Sequence, residues 1–96
     1  MNIGIVIKKL RKEKLPQINQ REFAKIIGIS QTYMSQIESG VRIPNIGILQ
    51  KIANELVIPL GIMFWYSVEE IDIHESKRDY FNFLKPNTDK LIDSIY

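Results

Sequence analysis

The sequence predicts an all-α protein: five short helices followed by a C-terminal helical extension. Three observations carry this. Apolar residues recur at three-and-four spacing, the period of a buried helix face. Capping residues, glycines and prolines punctuate that spacing at short intervals. No run alternates with period two over a useful length, so strands are not expected.

Ile3, Val6, Ile7, Leu10 and Lys14 lie on one stripe of a first helix, with Lys8, Lys9 and Lys12 outside it. Pro16 stops this helix. Asn19 is a good N-cap, with Glu22 at the capping-box position. A second helix therefore runs from Gln20 to about Ile27, burying Phe23, Ala24 and Ile27, and Gly28 ends it in the left-handed conformation. Ser30 caps a third helix from Gln31 to Ser39, which Gly40 ends. Pro44 and Asn45 restart the chain, and Ile46, Leu49, Ile52, Ala53 and Leu56 form the buried stripe of a fourth helix. Pro59 breaks it. Leu60 to Tyr66 makes a fifth, of one or two turns.

Val68 to Leu84 reads as a sixth helix with Ile73, Lys77, Tyr80, Phe81 and Leu84 on one face, ended by Lys85-Pro86. Asn87 then caps a last helix carrying Leu91, Ile92 and Ile95. The expected domains are 1–66 and a helical extension over 67–96.

The net charge of +2 conceals a division near residue 60. Nine basic and four acidic residues precede it, a net of +5; four basic and seven acidic residues follow, a net of −3. A basic working domain with an acidic tail is the expected plan. With no Cys there is neither a disulfide framework nor a thiolate metal site. The single histidine, His74, excludes every multi-His metal motif. No metal, cofactor or small-molecule ligand is expected. The N-terminal apolar stretch precedes Lys8-Lys9, the reverse of a secretory signal. Leu60 to Tyr66 falls far short of the ~20 residues of a membrane span. A cytoplasmic location without membrane association is expected.

The informative segment is Asn19 to Gly40, NQREFAKIIGISQTYMSQIESG. Two short helices joined by a tight turn containing Gly form a helix-turn-helix. Ala24 is small enough for the next helix to cross close above it. Ile29 and Ile37 fill the space between the helices. Met34, Ile37 and Glu38 share the inward face of the third helix, leaving Gln31, Thr32, Ser35, Gln36 and Ser39 outward. These outward residues are polar, uncharged and mostly short, and such groups can read base edges in a major groove.

The segment resembles the phage repressor and Cro-like helix-turn-helix regulators, the XRE family. The resemblance spans roughly residues 3 to 64. It rests on Leu10-Arg11, NQREFA, GIS, MSQIESG, RIPN and LQKIANEL together. It implies a five-helix, lambda-repressor-like DNA-binding domain whose third helix lies in the major groove. By position it implies base contacts from Gln31, Thr32 and Gln36, with Ser35 between them on the same face. It implies phosphate contacts from Gln20, Arg42 and Asn45, to which Ser30 and Tyr33 are added as candidates at the helix start and the domain edge. Arg11 and Glu38 match a charged pair that ties the first helix to the recognition helix in related repressors. The loop from Lys14 to Ile18 is longer than in short family members.

Each reading has a plainer counterpart. The polar face of the third helix is also what a solvated face looks like. Tyr33 either packs on the domain edge or donates to a phosphate. Lys8, Lys9 and Lys12 suit a solubilising face. His74 beside Glu75 has no nucleophile partner, so no enzyme is expected. Ile62, Trp65 and Tyr66 face outward by helical phase and mark a dimer interface, unless the tail folds over them. The expected function is a sequence-specific DNA-binding transcriptional regulator, a repressor, that binds a pseudo-palindromic operator as a homodimer. The alternative is an antitoxin-like or adaptor protein whose tail binds a protein partner.

Overall fold

The computed structural model describes every residue except Leu15, so that position of the first loop lies outside the described residues. The helices are α1 (Ile3–Glu13), α2 (Gln20–Ile27), α3 (Gln31–Glu38), α4 (Ile46–Glu55), α5 (Leu60–Ser67) and α6 (Arg78–Asp93). No strand occurs among the described residues. The chain divides into two compact units: Asn2–Ser67, and Val68–Tyr96 with Met1.

In the first unit four of the five helices start where a polar side chain can take an orphan backbone donor. Asn2 accepts from Ile5 N–H at 3.2 Å, Asn19 from Glu22 at 2.8 Å, Ser30 from Tyr33 at 3.0 Å and Asn45 from Ile48 at 2.9 Å. Gly28 (φ 88°) and Gly40 (φ 82°) end α2 and α3 in the left-handed region. α1 packs on α3 and α5, α2 on α3 and α4, and α4 on α5. Ile7, Phe23, Met34, Ile37, Ile52 and Met63 are fully buried at the centre. Each such side chain contributes about 1.5–3 kcal/mol by leaving water. Ile18 and Ile58, outside the periodic stripes, complete this core.

Two contacts had no sequence signal. A Cβ on Gly4 would collide with the Ile37 carbonyl oxygen, so α1 crosses the last turn of α3 at a distance only glycine permits. Lys14 Nζ donates to the Glu55 carbonyl at 2.9 Å, closing the C-terminus of α4 from the end of α1.

Two expectations for this unit are corrected. Ile46 is not part of the α4 stripe; it is 66% exposed. It is the first residue after the Asn45 cap, and burial begins one turn later at Leu49. Ile62 and Tyr66 do not simply face outward: both are half-buried and pack against the core, as Phe64 and Leu60 do. The reason is that α5 is apolar on all sides and turns about 100° from α4, so more than one face meets neighbours. Trp65 is half-buried as well.

The second unit departs further. The expected helix from Val68 is replaced by two 3₁₀ turns, Glu70–Asp72 and Glu75–Lys77. Short polar groups here offer the backbone local partners that compete with a helix. Asp72 Oδ2 accepts from Glu69 N–H at 2.9 Å, and His74 Nδ1 accepts from Ser76 N–H at 3.2 Å. The Met1 amine donates to Asp72 Oδ1 at 2.8 Å. This bond raises the amine's pKa above its usual 8.0 and lowers that of the carboxyl below 3.8.

Pro86 does not end a helix, and Asn87 does not start one. α6 runs through both. Proline removes one donor, but the affected turn is exposed, where water can take the freed carbonyl. Asn87 Nδ2 donates to the Phe83 carbonyl at 2.8 Å, and Lys85 pairs with Asp89 at 3.1 Å across the proline. Of the expected apolar face, Ile73 lies between the turns, Phe81 is half-buried, and Tyr80 and Leu84 are exposed.

Candidate nucleic-acid interface

The outward side of α3 exists because its inward side is so well engaged. Met34 and Ile37 are fully buried in the core, and Glu38 is 3% exposed. That phase turns Gln31, Thr32 and Ser35 into solvent and leaves Gln36 half-buried. Together with Gln20 from the start of α2, these four line one open groove. Its lining carries hydroxyls and amides and no ionised group, a donor-and-acceptor surface suited to base edges.

Behind the groove lies a buried charged network. Arg11 Nε donates to Glu38 Oε2 at 2.7 Å and Nη2 to Oε1 at 3.0 Å, a bidentate pair between α1 and α3. Arg11 Nη1 also donates to the Ile18 carbonyl at 3.0 Å, which ties down the loop before α2. Both side chains are nearly inaccessible, Arg11 being 6% exposed. Gln20 Nε2 donates to Glu38 Oε1 at 3.1 Å. The carboxylate therefore accepts from two helices and fixes which end of the Gln20 amide points inward. Sequence reasoning placed Gln20 on a phosphate and missed this bond. The signal available was a carboxylate with more acceptor sites than one guanidinium fills.

Beyond α3 the chain folds back on the helix. Val41 and Arg42 N–H groups both donate to the Gln36 carbonyl, at 2.9 and 3.1 Å, and Ser39 Oγ donates to it at 3.2 Å. Arg42 then lies over the Tyr33 ring, its Cζ 5.2 Å from the centroid. Tyr33 is half-buried and packs against the core. Ser30 and Asn45 are both exposed caps, so one acceptor of each is committed to its helix.

His74 lies apart from this surface in sequence and role. Its Nδ1 is 2.8 Å from Ser76 Oγ and caps a 3₁₀ turn. Among the described residues no three His, Cys, Asp or Glu gather as a metal site. No single helix among them is long and apolar enough to cross a membrane.

Two compact helices joined through Gly28, with the second presenting a polar outer face, are the geometry of a helix-turn-helix. The profile of the helix-turn-helix family HTH_3 matches residues 7–62, from within α1 to the first turn of α5. The chain belongs to that family. It is a phage repressor/Cro-like helix-turn-helix protein, a DNA-binding transcriptional regulator. Two relatives agree with the assignment. The ImmF control region 10 kDa protein of Bacillus phage phi105 is 34% identical over 70 residues, covering 73% of this chain and 76% of the relative. The control protein C.MunI of a Mycoplasma species is 41% identical over 64 residues, covering 67% and 85%.

Proposed function

We propose that the protein is a repressor that binds a pseudo-palindromic operator as a homodimer, with α3 in the major groove. The observation that carries this is the groove on α3: four polar, uncharged side chains face outward from a helix whose opposite face is locked in the core. Gln31, Thr32, Ser35 and Gln36 read base edges. Gln20 uses its second amide hydrogen, Ser30 its hydroxyl and Asn45 its Nδ2 to reach phosphates beside the α2, α3 and α4 N-termini, whose dipoles favour an anion there. Arg42 supplies a full charge on the same side. Phosphate contacts position the domain, and base contacts select the sequence. Ile62, Trp65 and Tyr66 of α5 form the dimer contact, so two recognition helices meet half-sites about one turn (~10 bp) apart. One relative is named as a control-region protein and the other as a control protein, which supports a regulatory role. Occupying a promoter blocks polymerase without any chemistry.

Selection from a random DNA pool tests the reading. A two-fold-symmetric consensus with half-sites about one turn (~10 bp) apart is expected; recovery of no consensus defeats it. On the selected operator, Gln31→Ala or Gln36→Ala is expected to cost about 1–3 kcal/mol while sparing scrambled DNA. Equal losses on both sequences would remove these residues from base reading.

A second reading has its own observation. Tyr80, Phe83, Leu84 and Leu91 of α6, with Ile95 beyond it, are all at least half-exposed. Such a stripe supports an adaptor or antitoxin-like role in which the tail binds another protein. A second chain that co-purifies at fixed stoichiometry and is released by Leu84→Lys would favour it.

A further inference from the structure

We propose that Tyr33 is the positioning residue for Arg42: its ring holds the guanidinium beside the recognition helix, so that the cation meets DNA already placed for a backbone phosphate. This rests on the DNA-binding reading above and refines it, because it moves Tyr33 from touching DNA to holding the group that does.

Gly40, at φ 82°, reverses the chain at the end of α3, and the two N–H groups of Val41 and Arg42 fasten the reversed segment to the Gln36 carbonyl. Arg42 is thereby returned along the recognition helix instead of projecting away from it. The ring it meets is not free to move, since Tyr33 is packed against the core. Tyr33 also follows Thr32 directly and lies one turn before Gln36. Arg42 therefore sits on the flank of the residues that line the groove.

The chemistry of the two groups is compatible with a third partner. A guanidinium over an aromatic face uses its own flat face, where the ring quadrupole attracts it. Its N–H donors lie in its own plane, in the fork that matches two phosphate oxygens. The ring thus restrains the side chain without occupying the hydrogen-bonding edge. An unrestrained arginine must lose its rotamer freedom when it binds; one already restrained has less to lose. The neighbouring exposed side chains Val41 and Ile43 are apolar and offer the cation no competing carboxylate.

The test combines a measurement without DNA and one with it. In the free protein, Arg42 side-chain protons are expected to show an upfield ring-current shift by NMR. The shift persists in Tyr33→Phe and vanishes in Tyr33→Leu; a wild-type chain without it overturns the proposal. In binding assays, Tyr33→Phe is expected to match the wild type. Tyr33→Leu is expected to weaken operator and scrambled duplexes alike by about two- to five-fold, with the salt dependence retained. Arg42→Ala is expected to lower the salt slope by about one unit and to abolish any further effect of Tyr33→Leu. If Tyr33→Phe is as weak as Tyr33→Leu, the hydroxyl itself touches DNA and the proposal falls. Additive losses in the double variant also overturn it. A wild-type chain that binds no duplex at all fails the DNA reading itself, a result that neither of these outcomes resembles. Should leucine lower the melting temperature, Tyr33→Met takes its place.

Discussion

Arg11 and Glu38 show how one buried pair can serve both fold and function. A guanidinium and a carboxylate this inaccessible repay their desolvation only because all three guanidinium nitrogens and both carboxylate oxygens have partners. The pair joins α1 to α3, fixes the loop through Ile18 and orients Gln20 at the edge of the groove. Removing one partner strands the other. Arg11→Met is expected to lower stability by about 3–5 kcal/mol. Arg11→Met with Glu38→Leu should recover much of that loss, as urea unfolding would show, since no bare charge remains buried. The double variant then tests the second role separately. Gln20 has lost its anchor, so operator affinity should fall even where the fold is restored.

At the scale of the element, two backbone positions break the usual helix rules in opposite directions. Gly4 sits inside α1, where alanine is ordinarily better by roughly 1 kcal/mol. Here alanine would strike the Ile37 carbonyl, and overpacking costs about 1–3 kcal/mol. Val57 is the reverse case. It follows α4 at φ 56°, a left-handed conformation that a β-branched residue adopts at a cost of about 1–2 kcal/mol. The turn is closed by Val57 N–H to Asn54 O and Ile58 N–H to Ala53 O, and the valine itself is 77% exposed. Thermal melts should therefore separate the two. Gly4→Ala is expected to lower the melting temperature, and Val57→Gly to raise stability by about 0.5–1 kcal/mol. A stabilised Gly4→Ala chain would mean that the two helices are free to separate.

At the scale of the whole molecule, the assembly prediction falls on α5. In the proposed dimer, Trp65→Ala with Tyr66→Ala is expected to shift sedimentation toward monomer and to make operator binding strongly concentration-dependent. An intact dimer would move the contact to the exposed side chains of α6. The charge distribution belongs to this scale too. A net +5 before residue 60 and −3 after it steers the first unit, rather than the second, toward phosphates.

The helices of Asn2–Ser67 were legible in the chain itself, because their signals are local. A cap, a three-and-four stripe and a terminal glycine act within one or two turns, and Asn19, Ser30, Gly28 and Gly40 do what their chemistry implies. The polar face of α3 was legible for the same reason, once Met34, Ile37 and Glu38 set its inward phase. What only the tertiary structure decided involves groups far apart in sequence or choices with closely matched energies. Lys14 on Glu55, Gly4 against Ile37 and Gln20 on Glu38 join separate elements, and no spacing rule reaches across them. Pro86 was a fair stop signal, yet the loss of one hydrogen bond on an exposed turn was smaller than the gain from continuing α6. The sequence by itself determined a helix-turn-helix with a readable outer face. The Arg11–Glu38 pair behind that face was implied by the resemblance; the tertiary structure decided what else holds it: a glutamine bonded to that pair, a glycine crossing beneath the helix and an arginine lying over Tyr33.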